Sequence, residues 1–116
     1  LTEGESGSFS LLLPYVTFPS AGRVYDLGAL QWNFVAKEDP DSADVAFALG
    51  SSSGEIVAAD RLLHIIVPAS VLSNLKHGTV YYGSLEVVHP LSGERTTVWI
   101  EGAPIIEIYV WGRIGQ

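Results

Sequence analysis

The stretch Leu30-Gln31-Trp32-Asn33-Phe34-Val35-Ala36-Lys37 decides the fold. Leu30, Trp32, Phe34 and Ala36 alternate with Gln31, Asn33, Val35 and Lys37, and a period of two is the signature of a half-buried strand. The alternation places Trp32 and Phe34 in the core. The strand ends in Glu38-Asp39-Pro40-Asp41-Ser42, a loop by composition.

The same pattern recurs on both sides. Toward the C-terminus, Val45 to Leu49 is a short apolar strand closed by Gly50-Ser51-Ser52-Ser53-Gly54. Glu55 to Ala58 and Leu62 to Val67 follow as strands. In Pro68 to Leu75, Ser70 is placed to cap one short helical turn with Val71, Leu72 and Leu75 inward, and Gly78 sits where a helix stops. Tyr81 to Val88 is a strand with Tyr81, Gly83, Leu85 and Val87 on one face. Gly83, lying mid-strand, marks a bulge or a close backbone approach. His89 to Glu94 is a hairpin turn, Arg95 to Glu101 returns antiparallel, Gly102-Ala103-Pro104 breaks it, and Ile105 to Trp111 is the last strand. Toward the N-terminus, Phe9, Leu11 and Leu13 alternate with Ser8 and Ser10. Pro14 makes this strand an edge or bends it, Tyr15 to Phe18 continues it, and Pro19 to Gly22 turns. These are about eight short strands at roughly ten-residue spacing, the pattern of a single antiparallel all-β sandwich with one short helical turn. The expected organisation is a flexible arm at 1–7, the sandwich at 8–111 and a tail at 112–116.

Composition narrows the function classes. The chain has 116 residues, which is one domain by size. Six basic residues face 13 acidic ones for a net charge of −7, so there is no footprint for a nucleic-acid partner. Cysteine is absent, which excludes disulfides and thiol chemistry. No apolar run approaches the roughly 20 residues of a membrane helix, and the polar start carries Glu3 and Glu5 rather than a basic leader. A protein made inside the cell, with no membrane partner, is expected.

No catalytic, cofactor or metal site is expected. His64, His77 and His89 lack metal-ligand spacing and read as turn residues and a pleat-facing imidazole. Ser51 to Ser53 lacks the strained elbow and base that a nucleophile needs. Glu38, Asp39, Asp41 and Asp44 are hard oxygen ligands close together, but they lack the glycine and distant bidentate Glu of a calcium loop, and a solvated acidic turn is the expectation. The aromatics are more informative. Trp99 shares its local face with Thr97 and Glu101, and Trp111 shares its face with Glu107 and Tyr109. Aromatics on the wet side of a sheet are either covered by a second layer or presented to a partner. The expected interface residues are Trp99, Tyr109, Trp111 and Tyr82, with Leu1 and Thr2 of the arm.

Several short runs occur in a familiar order: Asp26-Leu27-Gly28-Ala29-Leu30, Gly54-Glu55-Ile56, Ile65-Ile66-Val67-Pro68, Val71 to Leu75, Tyr81-Tyr82, Leu85-Glu86-Val87, Arg95-Thr96-Thr97 and Glu101-Gly102. From Asp26 to Ile108 the chain resembles the small immunoglobulin-like β-sandwich domains of tailed-bacteriophage virions. Those domains open longer baseplate and tail-fibre proteins, and a free-standing copy is similar to a capsid decoration (cement) protein. The resemblance implies a non-enzymatic virion protein, assembled in the host cytoplasm, that binds and stabilises the phage head. Its partners would be the major capsid protein or other virion proteins, and it would form a homo-oligomer. The alternatives are a tail, baseplate or fibre-attachment component and, more remotely, a carbohydrate-binding module in which Trp99, Trp111, Tyr81 and Tyr82 stack on sugars.

Overall fold

The computed structural model describes residues 7–76, 78–100 and 102–110. Strand β4 (Gln31–Lys37) forms where the alternation is clearest and turns Trp32, Phe34 and Ala36 inward. The long strand β8 (Thr79–Val88) lies antiparallel along it, from Gln31 opposite Val88 to Lys37 opposite Tyr82. On the other side of β4, β5 (Phe47–Gly50) completes a hairpin. The far side of β8 is shared by two strands placed end to end. β9 (Arg95–Val98) covers Leu85 to Val88, and β10 (Ile106–Val110) covers Thr79 to Gly83.

A second sheet has three strands in the order β1-β7-β6: β1 (Gly7–Leu12), β7 (Leu62–Val67) and β6 (Ile56–Ala59), all antiparallel. Leu63, Ile65 and Val67 of β7 are fully buried against the inner face of the β4–β8 sheet, and one contiguous core results. The Phe9 ring of β1 meets the Phe34 ring of β4 edge-on at 5.8 Å, a direct contact between the two layers. The protein is an all-β sandwich, as the spacing of strands and turns predicts. Gly7, read as part of the arm, belongs to β1. Residues 1–6, the rest of that arm, and residues 111–116, which include the tail, lie outside the described residues.

Gly83 makes room for the Phe34 ring of the neighbouring strand. A Cβ at Gly83 would lie 2.1 Å from Cζ of Phe34, so the ring occupies the space that any side chain would take. Its neighbours pair without interruption, with Gly83 opposite Ala36, so the glycine marks a close approach rather than a bulge. Trp32, 2% exposed, is held from the other direction, because its indole Nε1 donates to the carbonyl of Leu27 at 3.0 Å.

Three local expectations differ from the structure. Tyr15 to Phe18 does not continue β1. The chain leaves that sheet at Pro14, and β2 (Val16–Phe18) pairs instead with β3 (Gly22–Val24), a strand too short for periodicity to reveal. The Glu94 carboxylate ties this ribbon to the sandwich by accepting the amides of Ser20 (3.0 Å) and Ala21 (3.3 Å). Val45 is exposed and precedes β5, because pairing begins only where Ala46 N donates to the Ala36 carbonyl. Ser70 lies inside the single turn α1 (Ala69–Leu72) rather than capping it. Pro68 holds the cap position, while Leu72 and Leu75 point inward as expected. The break read at Gly102-Ala103-Pro104 separates β9 from β10, which follow each other along one edge of β8 with Ile100 and Ala103 bridged between them.

Two substitutions test this packing. Trp32→Ala should destabilise the domain by about 3–5 kcal/mol in urea unfolding, because a large void replaces the indole. Gly83→Ala should cost about 1–3 kcal/mol by overpacking. In a double-mutant cycle with Phe34→Leu, the Gly83→Ala cost should shrink by at least about 1 kcal/mol, since the smaller side chain vacates the contested space. Additive costs would show that the ring and the glycine are not coupled.

Candidate functional site

The histidines and serines weighed above as candidates for catalysis or metal binding make contacts within the fold. His64 stands on β7 directly opposite Ser10 of β1, and its Nδ1 is 2.7 Å from the Ser10 hydroxyl. His89 starts the β8–β9 turn, where its Nδ1 accepts the Leu91 amide at 3.3 Å and its ring meets Phe18 edge-on. His77 lies outside the described residues. The Ser51 hydroxyl accepts the Trp32 amide at 2.9 Å, and the Ser53 hydroxyl donates to the Glu55 carboxylate, so these serines brace the β5–β6 connection.

The acidic loop is organised by its own backbone. Asp39 accepts the Asp41 amide at 2.9 Å, Glu38 pairs with Lys76 at 3.2 Å, and Lys37 donates to the Ser42 carbonyl at 2.8 Å. Among the described residues, no group of three or more His, Asp or Glu side chains is placed to hold a metal ion. No helix among them is long and apolar enough to cross a membrane.

The aromatic residues divide into two places. Tyr82 and Tyr109 share the outer face of the β4–β8 sheet. Glu107 stands opposite Tyr82, and Tyr109 opposite Val80, so the two tyrosines are diagonal neighbours. Tyr109 is 50% exposed, and its hydroxyl donates to Glu107 at 2.9 Å. That hydrogen bond, with the charge of Glu107, holds the Tyr109 phenol above its ordinary pKa. Trp99 sits elsewhere. It is 62% exposed at the point where the β9–β10 edge is interrupted, and it lines a groove with Tyr15, Val16 and Thr97 between that edge and β2. Trp111, Leu1 and Thr2 lie outside the described residues.

One aromatic cluster was not foreseen. Tyr15 and Tyr25 extend the β2–β3 register by one pair, which brings their rings to 5.6 Å, and the Arg23 guanidinium lies 4.7 Å over the Tyr15 ring. The only signal for it was a hairpin too short to read from periodicity. Tyr81 is a correction in the other direction. It is 2% exposed, and its hydroxyl accepts the Lys76 amide at 2.9 Å, so its ring is core and cannot stack on a sugar.

The two sheets also differ in charge. β1, β6 and β7 contain no Asp, Glu, Lys or Arg, and their solvent face exposes Leu12, Val57, Leu62 and Ile66. The outward positions of the other sheet include Lys37, Glu86, Arg95 and Glu107, with Arg95 and Glu86 joined at 2.9 Å.

Glu107→Gln should bring the Tyr109 titration back down toward the ordinary phenol range, followed by ultraviolet absorbance at high pH against Tyr109→Phe as the blank. An unmoved titration would show that the Glu107 contact is not what raises it. Compared with known proteins, the chain matches no family model and no curated sequence.

Proposed function

We propose that this chain is a non-enzymatic structural protein of a tailed-bacteriophage virion, a capsid decoration (cement) protein that binds and stabilises the head. The observation that carries the reading is Trp99, a large aromatic 62% exposed in a groove at an interrupted sheet edge. Its neighbours in that groove are apolar or hydroxyl-bearing, which suits burial against another protein. The resemblance to immunoglobulin-like virion domains supports the same reading, and so does a rigid sandwich, which loses little conformational freedom when it docks at many equivalent sites. The proposed partners are the major capsid protein or other virion proteins, together with further copies of the chain. Six basic residues against 13 acidic ones argue against a nucleic-acid partner.

A tail, baseplate or fibre-attachment position would use the same fold and the same groove, and imaging of the labelled protein on particles separates it from the head. A glycan-binding role is less well supported, because Tyr81 is buried and Trp99 stands apart from the Tyr82 and Tyr109 face.

Purified protein should co-sediment with heads of the particle that carries it. Trp99→Ala should keep its melting temperature within roughly 3 °C, as an exposed position does, yet weaken head binding by about tenfold or more. Heads that bind neither protein would overturn the reading, and so would a variant that loses stability while binding unchanged.

A further inference from the structure

Among the described residues, strand β1 is the outermost strand of the uncharged sheet, paired with β7 on one side only. At six residues it is the longest of the described edge strands, ahead of β5, β6, β9 and β10. Natural edges are usually blunted by a lysine, a proline or a bulge. Gly7-Ser8-Phe9-Ser10-Leu11-Leu12 has none of these, and no charged residue occurs from Ser6 to Gly22.

The ladder shows which backbone groups this edge presents. Leu13 N donates to the Arg61 carbonyl at 2.7 Å, so Leu13, Leu11, Phe9 and Gly7 direct their amides and carbonyls toward β7. Ser10 and His64 form a non-hydrogen-bonded pair, consistent with the close approach of their side chains. The amides and carbonyls of Ser8, Ser10 and Leu12 therefore point away from the sheet. They are spaced evenly about Ser10.

We propose that β1 is a self-association strand, through which a second copy of this chain pairs antiparallel about a two-fold axis at Ser10. In that register Ser10 exchanges both backbone hydrogen bonds with Ser10 of the other copy, and Ser8 does so with Leu12, so every outward-pointing group is satisfied. The side chains also match. Small Ser8 faces large Leu12 on the solvent side, and Leu12 is 69% exposed in the single copy. On the core side Phe9 and Leu11, only partly buried at the open edge, cover each other. Charge selects the occupant. Two copies at −7 each repel wherever their acidic residues approach, and this strand is the longest edge that carries no charge. The product is a continuous sheet of six strands. The proposal gives a surface to the self-association in the virion reading and rests on that part of it alone, so head binding is measured separately and fails or succeeds independently.

The test uses the full chain. Sedimentation from about 1 μM to about 1 mM should show a monomer–dimer equilibrium, and hydrogen exchange should show the amides of Ser8, Ser10 and Leu12 becoming protected as concentration rises. Ser10→Lys sets two like charges face to face on the axis and should weaken the dimer by about tenfold or more. Ser10→Pro removes only an outward amide, which an edge strand tolerates, and should act likewise. Ser10→Ala, which loses the His64 contact but keeps the ladder, and Gln31→Lys, which adds a charge to the other sheet, should dimerise as the wild type does. Thermal melts confirm folding, and if the proline variant unfolds the lysine variant decides. A chain that stays monomeric throughout overturns the proposal. So does a dimer that Ser10→Lys leaves unchanged, or one in which those three amides exchange freely and so pairs elsewhere or captures a different strand.

Discussion

The Phe34 ring seated on Gly83 is the contact around which the sandwich is arranged. Its place is open only because residue 83 has no Cβ. From there the ring reaches Phe9 of the opposing sheet at 5.8 Å and Phe47 of the neighbouring strand at 6.3 Å, and Phe47 in turn meets Tyr81. One aromatic therefore touches both layers and the β4–β5 hairpin. Edge-on ring contacts such as Phe9 on Phe34 add to simple burial and favour one relative orientation of the rings, so this line of aromatics links the two layers through a directional contact.

The inward face of each long strand was legible in the sequence because a period of two needs only a few residues to declare itself. Trp32 and Phe34 on β4, and Leu85 and Val87 on β8, are buried as their alternation requires. What alternation does not encode is which edge a strand joins. Residues 95–98 and 106–110 each read as a strand, but nothing local says that both lie on the same side of β8. The length of β8 permits it: ten residues are enough to serve two short partners in tandem. The β2–β3 ribbon leaves no periodic trace in the sequence for the opposite reason. Three residues per strand give no period, and its position is held by a side chain, Glu94, some seventy residues further along the chain.

The interaction residues were legible in part, and the physical divide is the same. Trp99 and Tyr109 were marked as wet by their polar neighbours, and both are exposed. Their grouping into one surface did not follow, because the interruption at Ile100 and Ala103 separates them: Tyr109 stays on the sheet face while Trp99 is turned toward β2. Tyr81 and Tyr82 show how sharply a pleat divides adjacent residues. One is sealed in the core with its hydroxyl on the Lys76 amide, and the other lies on the outer face beside Glu107.

Charge completes the division between the layers. A chain with a net charge of −7 and few basic residues must place its carboxylates somewhere, and among the described residues they occupy loops and the outer face of the β4–β8 sheet. The three-stranded sheet is left without any charge in its strands. Among copies of an acidic chain, long-range repulsion acts on every approach, while the short-range attraction of apolar side chains and unpaired backbone groups acts only at contact. Approaches through the charged sheet must also desolvate Lys37, Glu86, Arg95 and Glu107. Approaches along Gly7–Leu12 of β1 meet serine, leucine and outward-pointing amides, with no charge in the strand itself. A negative net charge and an apolar composition, which look contradictory when averaged over the chain, are thus assigned to different sheets, and the fold presents a surface governed by each.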